Sequence, residues 1–150
     1  MLNSDDTIRL HRVLKAPPER VYRAFLDSDA IAQWLPPHGF TCKVHSRSAV
    51  VGGKYQMSFT NFTNQSTHGW KGEFVELVPG KVVKYSDEFD DPAWPGKMLV
   101  TVTLKEVMCG TEIHIAQENL PSFIPAEMCY LGWQESLANL ASLVEPEIKG

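Results

Sequence analysis

The sequence predicts an α+β domain in which a curved antiparallel sheet wraps around one long C-terminal helix, with two short helices after the first strand. Three observations predict it. From Phe40 onward, apolar residues alternate in runs separated by short turns, as in half-buried strands. After about Ala126 they recur at three- and four-residue steps, as in an amphipathic helix. Between an opening strand and the first alternating run lie two short helical stripes.

Residues 7–15 read as the first strand, with Ile8, Leu10 and Arg12 on one face. Ala16-Pro17-Pro18 ends it, and Pro18 suits a first helical turn, where its missing N–H is not needed. Val21, Ala24 and Phe25 mark a helix that fades at Asp27-Ser28-Asp29. Ile31, Trp34 and Leu35 mark a second, which Pro36-Pro37 stops. Phe40, Cys42 and Val44 then alternate, Gly52-Gly53 turns the chain, and Tyr55, Met57 and Phe59 alternate in turn. The polar residues 60–67 read as a loop, residues 70–78 as a strand, and Pro79-Gly80-Lys81 as its turn. Val83, Tyr85 and Asp87 alternate before an acidic, proline-containing loop that runs to Gly96. Met98, Val100, Val102 and Leu104 form a strand that Cys109-Gly110 turns back into Ile113, Ile115 and Gln117. Residues 120–125 are a loop. The last helix, from about Ala126 to Glu145, carries Cys129, Tyr130, Trp133, Leu137, Leu140 and Val144 on its apolar stripe, and Pro146 ends it. Short turns make the strands hairpin neighbours in a meander. A sheet with one apolar face needs a cover, and the C-terminal helix is long enough to supply it.

The 150 residues fit one domain over residues 1–150, with a core of about residues 7–145. With 43% hydrophobic and 21% charged residues the chain is globular rather than disordered. Its net charge of -4 speaks against the basic face of a nucleic-acid binder. No apolar run approaches the roughly 18 residues of a membrane span. The opening Met-Leu-Asn-Ser-Asp-Asp lacks the basic and apolar stretches of a leader. Cys42, Cys109 and Cys129 form no CxxC pair and fit free thiols in a reducing compartment. A cytoplasmic protein is therefore expected, and the sequons at Asn61 and Asn64 are read as chance.

The residue types that carry common chemistries are not arranged for them. His11, His38, His45, His68 and His114 show no zinc-site spacing, and no metal or other cofactor is expected. There is no GxSxG elbow, and Gly52-Gly53-Lys54 lacks the spacing of a phosphate loop, so no catalytic residue is assigned. Glu112, His114 and Glu118 share one strand face, read as solvated. Asp87, Glu88, Asp90 and Asp91 read as solvated charge too, except that Asp87 is in phase with the inward Tyr85 and Val83. A carboxylate there is a base candidate if burial raises its pKa.

The sheet-facing side of the last helix offers the small residues Cys129, Gly132 and Ser136 beside Trp133. The facing strands offer Tyr55, Met57, Phe59, Phe74, Tyr85, Val100, Val102 and Ile115. Aromatic walls with a few polar tips, here Tyr55, Tyr85 and Gln117, compose an apolar ligand pocket. The same side chains would equally fill a core. Trp34, where the short helices meet the sheet, reads either as a residue at the cavity mouth or as a plug; Phe40 and Trp70 join the candidate lining. Trp94, between Pro92 and Pro95, is a partner or lid contact, or a tack for its own loop.

The order of elements and certain words in them resemble a known family. Trp34-Leu35-Pro36 before Gly39-Phe40-Thr41, then Gly52-Gly53-Lys54-Tyr55-Gln56-Met57, is similar to that family's stretch ending in a Gly-Gly turn. Gly72-Glu73-Phe74-Val75-Glu76 with Pro79, Thr111-Glu112-Ile113-His114-Ile115, and Gly132-Trp133 with Leu137 and Leu140 match its later strands and its last helix. The family is the one named after the activator of the heat-shock-protein-90 ATPase, within the START-related helix-grip (SRPBCC) superfamily. The resemblance runs from about Thr7 to Val144. Four positions depart from it: Ser48 and Val50 replace an Asp and an Arg before the Gly-Gly pair, Leu35 replaces a second Trp, and Gln117 replaces a His.

The resemblance implies a helix-grip (START-like) fold with a cavity between sheet and helix. The expected function is binding of a small apolar or amphipathic molecule there, oriented by Tyr55, Tyr85, Asp87 or Gln117. A stress-related, co-chaperone-like interaction module is one alternative. It needs an exposed patch of about 800 Å², and the chain has no room for the extra N-terminal domain of the eukaryotic activator. A polyketide cyclase-like enzyme moving protons with Asp87 or a tyrosine is another. Several strands offer an edge to a second copy, so homodimerisation is left open.

Overall fold

The computed structural model describes residues 6–150; residues 1–5, most of the N-terminal stretch considered above for a leader, lie outside the described residues. The elements are β1 (Ile8–Leu14), α1 (Pro18–Leu26), α2 (Ser28–Trp34), β2 (Phe40–Arg47), β3 (Lys54–Asn61), β4 (Thr67–Val78), β5 (Val82–Phe89), β6 (Met98–Val107), β7 (Gly110–Glu118) and α3 (Ala126–Val144). The seven strands form one antiparallel curved sheet in the order β1-β7-β6-β5-β4-β3-β2. The architecture is the α+β helix-grip arrangement. β1 pairs with the last strand, so α1 and α2 carry the chain from one sheet edge to the other.

Local chemistry fixes the ends of the short helices. Pro18 opens α1, with Glu19 in its first turn, where an acid suits the helix dipole. The Asp27 side chain caps α2 by accepting from the Ala30 N–H at 3.0 Å. The carbonyls at the other end of α2 are met from α3. Ser136 Oγ donates to Leu35 O at 2.5 Å, and Asn139 Nδ2 donates to Trp34 O at 3.3 Å and Pro36 O at 3.1 Å.

Two irregularities turn the inward face of the sheet. Between Val44 and Ser46 the β2–β3 register shifts, so the inward set passes from Val44, opposite Met57, to Arg47, opposite Tyr55. Between Phe74 and Glu76 β4 shifts likewise, and Leu77 comes to lie opposite Val83.

The burial of α3 is concentrated in one half of the helix. All buried residues of α3, namely Ser136, Leu137, Leu140, Ala141 and Val144, lie in its C-terminal half. The apolar four, Leu137, Leu140, Ala141 and Val144, join Leu14, Val21, Phe25, Val102 and Ile113 in the core. The N-terminal half of α3 buries none. Tyr130, expected on the apolar stripe, is therefore exposed. Arg12, placed on the inward face by alternation, is exposed too, which keeps its charge in water. The loop expected at residues 60–67 is shorter. Thr60 pairs with Thr67 and their hydroxyls meet at 2.9 Å, so polar residues continue the ladder.

Candidate functional site

A cavity of about 330 Å³ lies between the sheet and the N-terminal half of α3. Its floor is built from alternate residues of adjacent strands: Phe40 and Arg47 of β2, Tyr55, Met57 and Phe59 of β3, and Trp70 of β4. Tyr85, Asp87 and Phe89 of β5 continue it, followed by Met98 of β6 and Gln117 of β7. Phe25, Ile31 and Leu35 form the wall from the short helices, and Pro37 borders it. Cys129, Gly132, Trp133 and Ser136 form the roof. A Cβ added at Gly132 would meet nothing within 4 Å, so the glycine faces open space. His68, Trp94 and Ile124 complete the lining from loops and a strand end.

The aromatic walls pack edge to face. Phe59 meets Trp70 at 4.2 Å between centroids, and Tyr55 meets Tyr85 at 5.9 Å. Gly72 makes room for Tyr55, since a Cβ there would collide with the Ser86 carbonyl and the Tyr55 ring. The Tyr55 hydroxyl donates to that carbonyl at 2.7 Å. Gln117 ties sheet to helix, because its Oε1 accepts from Trp133 Nε1 at 2.7 Å while its Nε2 meets Met98 Sδ at 3.1 Å.

Two charged side chains enter this apolar space from different strands. Asp87 Oδ1 is buried without a hydrogen-bond partner. Burial pushes the Asp87 carboxyl up to about 7; the Tyr55 hydroxyl draws it back in part, and Glu88 adds to the rise. Arg47 Nη2 donates to Phe25 O at 2.6 Å, at the C-terminal end of α1, and Nη1 meets Met57 Sδ at 3.4 Å. Its guanidinium carbon lies 5.3 Å from the Tyr55 ring centroid and 5.1 Å from that of Phe74. Arg47 Nε has no partner. No carboxylate among the described residues lies within ion-pair distance of it. Burial lowers its pKa, with Tyr85 and Tyr55 opposing. Burial raises both tyrosines and pushes the Cys129 thiol up to about 11, with Asp87 adding in each case. Cys42 also rises to about 11 through burial, against the pull of Arg47.

Of the residues expected to line a pocket, Phe40, Tyr55, Met57, Phe59, Trp70, Tyr85, Asp87, Gln117, Cys129 and Trp133 converge on the cavity. Five do not. Trp34 is fully buried below it, donating Nε1–H to Ala24 O at 2.8 Å and packing edge-on against Phe25. Phe74, Val100, Val102 and Ile115 sit in the packed core. They share the inward face, but close packing leaves them no open surface.

Sequence reasoning missed Arg47, because strict alternation from Phe40 points it outward and the register shift reverses that. It also missed Met98 and Phe89, whose inward phase was legible. Trp94 was weighed only as a loop residue. It lines the cavity, stacked on His68 at 5.3 Å and edge-on to Phe89 at 5.3 Å.

Other polar groups lie elsewhere. His38 donates its backbone N–H to Glu135 Oε1 at 3.0 Å. On the outer face His11 and His114 flank Glu112, at 2.9 Å and 3.4 Å, and hold its carboxyl below the usual range. Glu118 is in phase with Glu112 and His114 on β7 and lies outside the cluster they form with His11. Among the described residues no helix is long and apolar enough to cross a membrane.

A protein from Chromobacterium violaceum of known crystal structure is 56% identical, with a TM-score of 0.93 over 95% of this chain and 99% of that one. A Rhodobacter sphaeroides protein, 22% identical, has the same fold with a TM-score of 0.83 over 93% of this chain and 92% of that one. So does one from Mycobacterium smegmatis, 13% identical, at 0.80 over 97% and 94%. No curated protein matches the sequence. The profile of the family described as "Activator of Hsp90 ATPase homolog 1-like protein" matches residues 15–145, and with nearly the whole sequence and this architecture accounted for, the chain belongs to that family.

Proposed function

We propose that this protein binds a small hydrophobic or amphipathic molecule in the cavity between the sheet and α3. One observation carries the reading. The same inward face that packs densely under the C-terminal half of α3 is left open under its N-terminal half, over about 330 Å³. That volume lies in the range of small-molecule sites, which pair apolar walls with a few polar groups. Burying an aromatic ligand there would supply the affinity. The Asp87 and Gln117 side chains would orient it. Trp94 folds onto His68 and Phe89, which favours the cavity over a free docking patch for a chaperone.

The test is native mass spectrometry of the protein after incubation with a chemically diverse extract, beside a Gly132→Leu variant. The added side chain points into open space, so the fold is expected to survive while the cavity fills. A molecule retained by the wild type and lost from the folded variant supports the reading. Equal retention, or none by the wild type, overturns it.

A second reading has its own observation. A sheltered carboxyl raised to about 7 is poised to exchange protons at neutral pH. If the protein is a proton-transfer enzyme of the polyketide-cyclase kind, wild type will return its ligand rearranged, and Asp87→Asn will return it unchanged.

A further inference from the structure

Arg47 has a structural duty that accounts for part of its chemistry. Its Nη2–H caps the end of α1 at Phe25 O, where a cation suits the helix dipole. A guanidinium carries five N–H donors. Only two of those on Arg47 find acceptors among the described residues, and one of these is a thioether sulfur. The rest of the positive charge faces aromatic rings and the cavity, with no carboxylate in ion-pair reach. Asp87 does not neutralise it, since its Oδ1 is itself unpartnered. Arg47 is half-buried with its Nε fully enclosed, and a cation sheltered in this way among apolar groups is costly unless something pairs with it.

We infer that the ligand of this cavity is an organic acid, an apolar body bearing one anionic group that docks against Arg47. This rests on the cavity-binding reading above and deepens it. The rings of Phe40, Phe59, Trp70 and Trp133 suit an aromatic or flat apolar body, and Arg47 supplies the charge-assisted hydrogen bonds that select for the anion. The outer-face histidines are too far across the sheet to share the task, because they lie on its opposite face.

The experiment is calorimetric titration of the full chain with a matched pair of probes, 2-naphthoate and the neutral, nearly isosteric 2-naphthamide. It is run at about pH 6, where the naphthoate is ionised and the Asp87 carboxyl is largely protonated. Wild type is expected to bind naphthoate at least about tenfold more tightly than the amide. In Arg47→Met that preference is expected to collapse to within about twofold. Arg47→Lys should keep a part of it, because the charge remains while the fork geometry is lost. Amide binding equal to or tighter than naphthoate in wild type overturns the inference while leaving the cavity reading intact. So does a preference that survives in folded Arg47→Met. Binding of neither probe overturns the inference, and the cavity reading is then decided separately by the extract experiment. The wild-type comparison needs no variant, so the inference stays testable if Arg47→Met fails to fold.

Discussion

Asp87 joins sequence phase, burial and chemistry in one side chain. Its carboxyl titrates near 7 in the folded protein because burial disfavours the anion, whereas in the unfolded chain it ionises in the ordinary carboxylate range near 4. Below that range both states hold the proton. Between about pH 4 and about pH 7 only the folded state does, so stability contributed by this group falls as pH rises, and it levels off above that window. Asp87→Asn is therefore expected to remove part of the downward slope and to gain stability over wild type at about pH 8 but not at about pH 4. Urea midpoints measured across this range check it. Superimposable slopes would show that water in the cavity solvates the carboxylate. Asp87 was legible in the sequence because β5 keeps strict alternation from Val83. Arg47 was not, since one extra residue in β2 inverts the phase and alternation carries no mark of a bulge.

The helices illustrate a different limit. Proline and aspartate signals placed α1 and α2 closely, since those signals are local. What holds the C-terminal end of α2 is not local. Ser136 and Asn139, about a hundred residues further along the chain, satisfy its last carbonyls, and His38 after the helix bonds to Glu135 and Asn139. Polar residues on a helix read from sequence as its solvated side, so a cap delivered from another element leaves no pattern to find. Asn139→Ala would leave the Trp34 and Pro36 carbonyls without these donors, and a loss of about 1–2 kcal/mol is expected. Chemical denaturation with an unchanged m-value would report it. A cost near zero would mean that water replaces the amide at once.

At the scale of the whole molecule, one helix does two jobs along its length. The C-terminal half of α3 anchors the core, and the N-terminal half roofs the cavity without a buried residue of its own. The meander, its turns and the covering helix were readable from periodicity and turn residues, whereas the pairing of β1 with β7, which joins residues about a hundred apart, left no local mark. Whether the helix packs down or stands off depends on volumes summed over several strands, and single positions do not encode such sums. That is why Phe74, Val100, Val102 and Ile115 looked the same in sequence as Tyr55, Met57 and Phe59. The division of α3 predicts its dynamics. Amides in the first two turns of α3 are expected to exchange with deuterium well before those around Leu137–Leu140, because opening them exposes little apolar surface. Saturation with 2-naphthoate should slow exchange in those first turns and in the loop carrying Trp94, which lines the same cavity, and leave β1 unchanged. Protection spread evenly over the sheet would indicate instead that the ligand tightens the whole molecule and not its roof.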